Sequence, residues 1–204
     1  MNDRNANVRL EALSDGVFAI AMTLLVIEVR APDPETIQGT ADLWEALRHA
    51  MPTIAAFLLS FTVIFITWVN HHAAIRSIPR TSAPFLFANG FMLLTVAFLP
   101  FPTALLGEFI LSDHAAPAVV LYNGVLAAQA LSWVLFTKAA LSGGLARDDD
   151  AIATARVALR NGSGAVVLYS VLAIVGIWLP VPVAIATTAS WAVWLAMSIR
   201  AKHD

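Results

Sequence analysis

The chain has 204 residues, of which 59% are hydrophobic and 13% are charged, and its formal net charge at pH 7 is −2. Soluble domains average about 45–50% apolar and about 25% charged residues, so this composition excludes an ordinary soluble domain and indicates lipid as the solvent. The small net charge gives no reason to expect a nucleic-acid partner, and the absence of cysteine excludes disulfides and thiol chemistry.

Six apolar segments can be marked along the chain, each near the ~20 residues that a helix needs to cross a bilayer. They predict an all-α membrane protein whose residues 1–204 form a single domain of six transmembrane helices. No small-residue cleavage site of the Ala-x-Ala kind ends the first segment, which we interpret as a retained span and not a signal peptide. The predicted spans are about 7–29, 45–70, 84–107, 117–141, 161–179 and 183–199.

The connections between the spans are marked by proline, glycine and charge. Pro100 and Pro102 must kink or end the third span, because proline lacks the N–H that a helix interior requires. Residues 142–150 are the most polar stretch of the chain and predict a plain loop. Residues 151–160 predict a short amphipathic segment that leads into the fifth span and carries Arg156 and Arg160.

The basic residues predict the orientation of the spans. With six spans, one side of the membrane receives the N-terminus, the second and fourth loops, and the C-terminus. That side holds ten of the twelve basic residues: Arg4, Arg9, Arg76, Arg80, Lys138, Arg147, Arg156, Arg160, Arg200 and Lys202. The other side holds Arg30 and Arg48. Basic residues accumulate on the cytoplasmic side, so we expect a multi-pass protein of the cell membrane with both termini in the cytoplasm.

The first span separates apolar from polar side chains. No residue from Gly16 to Ile27 is ionisable. At about 100° per residue, Ile20, Leu24 and Ile27 share one narrow stripe, with Thr23 about 60° to one side. Ser14 and Asp15 point away from that stripe.

The charged residues at the start of this span require partners. Arg9 and Asp15 are costly near the membrane unless they pair with groups from another span. The end of the second span lies on the same side of the membrane and supplies candidates: Trp68, Asn70, His71 and His72.

Catalysis and bound metal are not expected. The histidines lie at span ends or in loops, and His71 and His72 are neighbours that point about 100° apart on a helix, so the two cannot chelate one ion together. No metal-ligand, nucleophile or phosphate-binding motif is present. The amides of Asn89, Asn123 and Gln129 are explained by hydrogen bonds between helices at least as well as by a substrate site. We therefore expect no enzyme, metal or cofactor, and we keep a small-solute secondary transporter as the alternative function.

Three motifs carry a resemblance to a known family. They are Arg9 with Leu13-Ser14-Asp15 and the aliphatic helix that follows, Trp68-Val-Asn-His-His72, and Asn89 followed by residues 98–103. In this order they resemble the transmembrane protein 175 family, the endosomal and lysosomal potassium channels and their bacterial relatives. Leu13 stands where the family has phenylalanine. The ordered matches cover about residues 9–107.

The resemblance implies a potassium-permeable leak channel. In this family the first helices of a homotetramer line the pore around a central axis, and there is no re-entrant filter loop. Carried over by position, Ile20, Leu24 and Ile27 form aliphatic rings that narrow the pore, and the Thr23 hydroxyl reaches a passing ion. Potassium and other monovalent cations would be the permeant partners, in a lipid bilayer.

The same resemblance implies a structural role for the polar residues. They would form a buried network that fixes the pore helix against its neighbours without touching the ion: Arg9, Ser14, Asp15, Trp68, His71, His72 and Asn89.

Overall fold

The structure is a computed structural model that describes residues 3–146 and 148–200, with side chains from 7 to 146 and from 148 to 196. Within these ranges the chain is helical and contains no strand. Two short 3₁₀ turns, Leu25–Glu28 and Pro34–Thr36, accompany the helices. The helices are α1 Asp3–Leu24, α2 Thr40–His49, α3 Met51–Arg76, α4 Ala83–Phe98, α5 Pro100–Phe109, α6 Ala115–Ser142, α7 Asp149–Val175 and α8 Pro180–Arg200.

Five segments among the described residues are long and apolar enough to cross a membrane. They are Asn7–Glu28, Met51–Arg76, Ala83–Phe109, Ala115–Ser142 and Asp149–Val175. The predicted sixth span corresponds to a shorter apolar helix, Pro180–Ala196. The all-α membrane class is therefore confirmed, whereas the number of six spans stays a prediction.

The predicted second span, 45–70, is divided between two helices. α2 ends at His49 and α3 begins at Met51, so Ala50 alone separates them. Pro52 lies in the first turn of α3, where its missing N–H would have no partner within the helix. The apolar residues of α2 made it resemble the start of a span, but the proline places the start of the long helix at Met51.

The third predicted span, 84–107, breaks at its prolines as expected. α4 ends at Phe98 and α5 begins at Pro100, with Leu99 between them. Pro100 occupies the first turn of α5, where its missing N–H leaves no internal hydrogen bond unmade. α5 then packs closely on α3, because a Cβ atom on Gly107 would lie 2.8 Å from the Thr53 Cα.

The predicted short lead-in at 151–160 is not a separate element. α7 runs without a break from Asp149 to Val175, so Arg156 and Arg160 lie on the same helix as the predicted span 161–179. The Asp148 carboxylate caps the start of α7 by accepting from the Ala151 N–H at 2.8 Å. A helix continues wherever no residue breaks it. The basic residues affect only how deep this part of α7 lies in the membrane.

The helices pack around α6, which contacts α4, α5, α7 and α8, while α1 packs against α3 and α4. The larger core cluster joins α1, α3, α4 and α6 through buried residues such as Phe18, Ile64, Val96 and Leu126. Of the basic residues that predict the orientation, Arg147, Lys202 and the side chains of Arg4 and Arg200 lie outside the described residues. The cytoplasmic placement of the termini therefore stays a prediction.

Candidate functional site on the first helix

One face of α1 is buried within the protein. Its side chains recur every three or four residues, the spacing that places them on one side of a helix. We call this the inner face, and it consists of Leu10, Ser14, Phe18, Ala21 and Leu25. It rests on α3 and α4.

A second face of α1 carries the predicted aliphatic stripe, and it is exposed. Ile20, Leu24 and Ile27, which we call the outer ridge, are 59%, 42% and 65% exposed. Thr23 is also exposed, and its hydroxyl donates to the Ile20 carbonyl at 2.9 Å. Among the described residues of its own chain, nothing buries the outer ridge.

The outer ridge stays continuous although the helix changes type. The sequence prediction assumed α-helical geometry to Ile27, but residues Leu25–Glu28 form a 3₁₀ turn. At three residues per turn, side chains three positions apart lie above one another, so Ile27 stays aligned with Leu24.

Three of the predicted network residues form a hydrogen-bonded chain across three helices. The Asn89 amide on α4 donates to the Ser14 hydroxyl on α1 at 3.3 Å. The Asn89 oxygen lies 2.6 Å from His71 Nε2 on α3, so the imidazole donates through Nε2. All three side chains are buried.

Asp15 makes a second polar contact between α1 and α3. Its Oδ1 accepts from the Trp68 indole N–H at 2.8 Å. Because a buried donor or acceptor without a partner is costly, these bonds favour one rotation of α1 against α3 and α4.

The remaining predicted network residues are placed differently. His72 faces Glu11, with 3.1 Å between its Nδ1 and Glu11 Oε1, and is not bonded to Asn89 or His71. Arg9 is exposed and forms no hydrogen bond or ion pair with the described side chains. Within one chain, the structure therefore brings together Ser14, Asn89 and His71, and separately Asp15 and Trp68, but does not add Arg9 to either set.

Sequence reasoning missed the aromatic surroundings of His71. Its ring packs 5.3 Å from Phe18 on α1 and 5.6 Å from Phe136 on α6, measured between ring centres. A stripe of aromatic rings also follows α3 to His72: Phe57, Phe61, Phe65 and Trp68. Its spacing of three or four residues was visible in the sequence, whereas the contacts of His71 require the packed fold.

The end of the 3₁₀ turn that follows α1 borders a cavity of about 410 Å³. Its lining includes Glu28, Arg30, His49, Thr53 and Glu108. Glu28 is thus near both acidic and basic neighbours at the end of the outer ridge.

Comparison with known proteins identifies the family. Residues 9–100 match the family described as endosomal/lysosomal potassium channel TMEM175. The chain is 44% identical to a potassium channel of Chamaesiphon minutus over 123 residues, which are 60% of this chain and 60% of that protein. It is 42% identical to a potassium channel of Streptomyces collinus over 130 residues, 63% of this chain and 62% of that protein.

A solved structure extends the likeness to nearly the whole chain. The crystal structure of a lysosomal potassium-selective channel TMEM175 homolog from Chamaesiphon minutus superposes with a TM-score of 0.80 at 33% identity, covering 95% of this chain and 98% of that one. The alignments with the two named channels cover only 60% and 62% of their lengths. On the family match and the near-complete structural likeness together, this chain belongs to the TMEM175 family.

Proposed function

We propose that this protein is a potassium-permeable leak channel of the cell membrane, a homotetramer in which four copies of α1 surround a central axis with their outer ridges inward. The observation that carries the proposal is the division of α1 into a hydrogen-bonded inner face and an exposed aliphatic ridge. The two named relatives and the solved homologue are potassium channels, and channels are not enzymes. Both termini would lie in the cytoplasm, with a sixth span at α8.

The outer ridge would act as an apolar constriction. Four aliphatic side chains at one level offer no oxygen to replace the hydration shell of an ion, so a narrow collar excludes both water and ions. A small rotation or outward movement of α1 would widen the collar and allow water to return. The barrier to conduction would therefore depend on the radius at Ile20, Leu24 and Ile27.

Selectivity in this arrangement would be modest. The sequence contains no Thr-Val-Gly-Tyr-Gly filter, whose carbonyl oxygens replace hydrating water in other potassium channels. Thr23 is the polar side chain beside the ridge, and its hydroxyl would supply an oxygen to an ion passing the collar.

The inner face would hold the collar at a fixed radius. The hydrogen bonds of Ser14 on that face and of the adjacent Asp15 reach two different helices, which opposes free rotation of α1. We propose this positioning role for Ser14, Asp15, Trp68, His71 and Asn89. Arg9 and His72 would stabilise the same end of the helix without joining the hydrogen-bonded chain.

The test compares potassium and sodium flux from purified protein in liposomes. Each 1.4 kcal/mol removed from a barrier raises a rate about tenfold, so Ile20→Asn, which places four amides in the collar, should raise potassium flux by at least about tenfold. The matched control is Ile174→Asn on α7, because Ile174 is 58% exposed, almost the same as Ile20.

Two outcomes would contradict the proposal. Equal flux changes in the Ile20 and Ile174 variants would mean that the ridge faces lipid like any other apolar surface. Flux that saturates at low potassium concentration would instead favour the secondary transporter, whose rate is limited by a conformational cycle of microseconds to seconds.

A further inference from the structure

We propose that Glu11 and Asp15 on α1 and His72 on α3 form a binding site for a divalent transition-metal ion. The site would join α1 to α3 beside the hydrogen-bonded chain of the inner face. It rests on the geometry of these three side chains, and it stands whether or not the protein conducts potassium.

The three side chains converge from two rigid helices. Glu11 and Asp15 are four residues apart on α1, so they lie on one face of it and both are directed toward His72. One ligand atom from each of the three residues lies within 4.8 Å of the other two. Two carboxylates and one imidazole are a ligand set that binds divalent first-row metals.

The imidazole of His72 supplies the second observation. Its Nδ1 is a buried atom, yet it makes no hydrogen bond in the structure. It lies at ion-pair distance from Glu11, 3.1 Å from its Oε1. Two ligands bound at about 2.0–2.2 Å to one zinc ion are themselves about 3 Å apart, so this distance suits a shared metal.

The hydrogen bond of Asp15 also suits a metal ligand. Asp15 Oδ1 accepts from the Trp68 indole N–H at 2.8 Å, so a metal at this site would take Oδ2 as its ligand. A hydrogen bond from an outer residue to a ligating carboxylate is the usual way in which proteins fix the direction of a metal ligand.

The charges also favour a cation. Two carboxylates, both only partly exposed, repel each other at the end of a membrane helix. Arg9, the basic residue of α1 nearest to the cluster in sequence, is exposed. A divalent ion with neutral imidazole would balance both carboxylates.

The sequence did not reveal this cluster. His71, the neighbour of His72, is not part of the cluster, and its Nε2 is hydrogen-bonded to Asn89. The two carboxylates that would share the metal with His72 lie on α1, far from α3 in sequence. Only the packing of α1 on α3 brings the three side chains together.

The test is calorimetric titration of the full-length protein in detergent with zinc chloride at pH 7.5. We expect one zinc ion per chain in the wild type. His72→Gln and Glu11→Gln should each weaken binding by at least about tenfold, because loss of even an outer-shell partner costs metal sites about 10–100-fold. His49→Gln and His114→Gln are matched controls, since both histidines lie outside the cluster.

Thermal unfolding provides an independent reading. At a zinc concentration of 100 times the dissociation constant, the ratio of folded to unfolded protein should rise about 100-fold in the wild type and much less in the variants. Glu11 and His72 are each 29% exposed, so their replacement should leave folding intact, which size-exclusion elution checks.

Three results would overturn the proposal. The first is an absence of zinc binding to wild-type protein. The second is unchanged affinity in the Glu11→Gln/His72→Gln double variant, which would indicate a plain ion pair and adventitious zinc elsewhere. The third is magnesium or calcium binding as tight as that of zinc, which would contradict the assignment to a transition metal.

Discussion

α1 and α7 each present an isoleucine of nearly equal exposure, 59% for Ile20 and 58% for Ile174, yet the rest of each helix differs. α1 is hydrogen-bonded through Ser14 and Asp15 to helices that are distant in sequence. α7 packs mainly on its neighbour α6, where a Cβ on Gly162 would lie 3.3 Å from Val134. Its buried tyrosine, Tyr169, bonds to Ser190 and Trp194 of α8.

The difference shows that apolar exposure alone does not distinguish a pore from a lipid-facing surface. The hydrocarbon chains around a lipid-facing ridge make no directional contact, so they do not hold a helix at one rotation. A helix that sets the radius of a collar must keep one rotation, and directional hydrogen bonds on its reverse side enforce that. α1 therefore differs from α7 less in its ridge than in its hydrogen bonds, which reach helices distant in sequence, whereas those of Tyr169 reach the next helix along the chain.

The largest expected effect comes from removing the ring at the centre of the inner face. Phe18 is fully buried and packs on His71, so Phe18→Ala should lower the free energy of unfolding by about 3–5 kcal/mol. Leu168→Ala on α7, at a partly exposed position, should cost less than about 1 kcal/mol. Unfolding by SDS in mixed micelles measures both. Equal losses would remove the distinction between the two helices.

A smaller loss is expected from breaking the hydrogen-bonded chain at its middle. Asn89→Leu leaves both Ser14 and His71 without their partner and should cost about 1–3 kcal/mol. Tyr169→Phe on α7 also removes two hydrogen bonds, yet Ser190 retains its bond to the Thr187 carbonyl. Its cost should lie near the membrane average of about 0.6 kcal/mol.

These two variants also separate stability from positioning. Potassium flux should change in Asn89→Leu, because α1 loses its fixed rotation, and should stay at the wild-type level in Tyr169→Phe. Flux that changes equally in both variants would show that any loss of packing disturbs conduction, and that the inner face has no special role.

Two substitutions of Asp15 distinguish the effect of its charge from the effect of its hydrogen bond. Asp15→Ala removes the acceptor of the Trp68 N–H and should lower the free energy of unfolding by about 1–2 kcal/mol. The yield of assembled oligomer should fall with it. Asp15→Asn retains an oxygen at the same place and should lose less than half as much. Cross-linking and size-exclusion chromatography report the assembled fraction. A full yield of oligomer from Asp15→Ala would contradict the positioning role.

The coarse fold was predictable because membrane helices require long apolar segments. The break at Pro100 followed from proline geometry alone. The division at Ala50 did not, because α2 contains Leu43, Trp44 and Leu47 and so resembles the beginning of a span. Likewise, the amphipathic pattern with Arg156 and Arg160 predicts a separate lead-in, although nothing in the sequence stops the helix there.

The sequence predicted which side of α1 a site residue occupies, but not the contacts that the residue makes. Periodicity separated Ile20 from Ser14, and the structure places these side chains on different sides of α1. It could not choose between His71 and His72 as the partner of Asn89, because that depends on the rotation of α3 against α4. The family resemblance also implies that Arg9 belongs to the network, whereas the packed helix leaves Arg9 exposed.

The smallest expected effect on stability is the sharpest test of the outer ridge. Thr23 on α1 and Thr188 on α8 are both exposed, and both hydroxyls donate to a carbonyl of their own helix at 2.9 Å. Replacement by valine keeps the shape of each side chain, so Thr23→Val and Thr188→Val should each change the free energy of unfolding by less than about 0.5 kcal/mol. Stability therefore cannot distinguish them, and any difference in function must come from where the two hydroxyls lie in the assembled protein.

If Thr23 borders the collar, its loss alone should lower potassium flux and shift the ratio of potassium to sodium flux, whereas Thr188→Val should behave as wild type. Identical flux ratios in the two variants would place Thr23, and with it the outer ridge, away from the path of the ion.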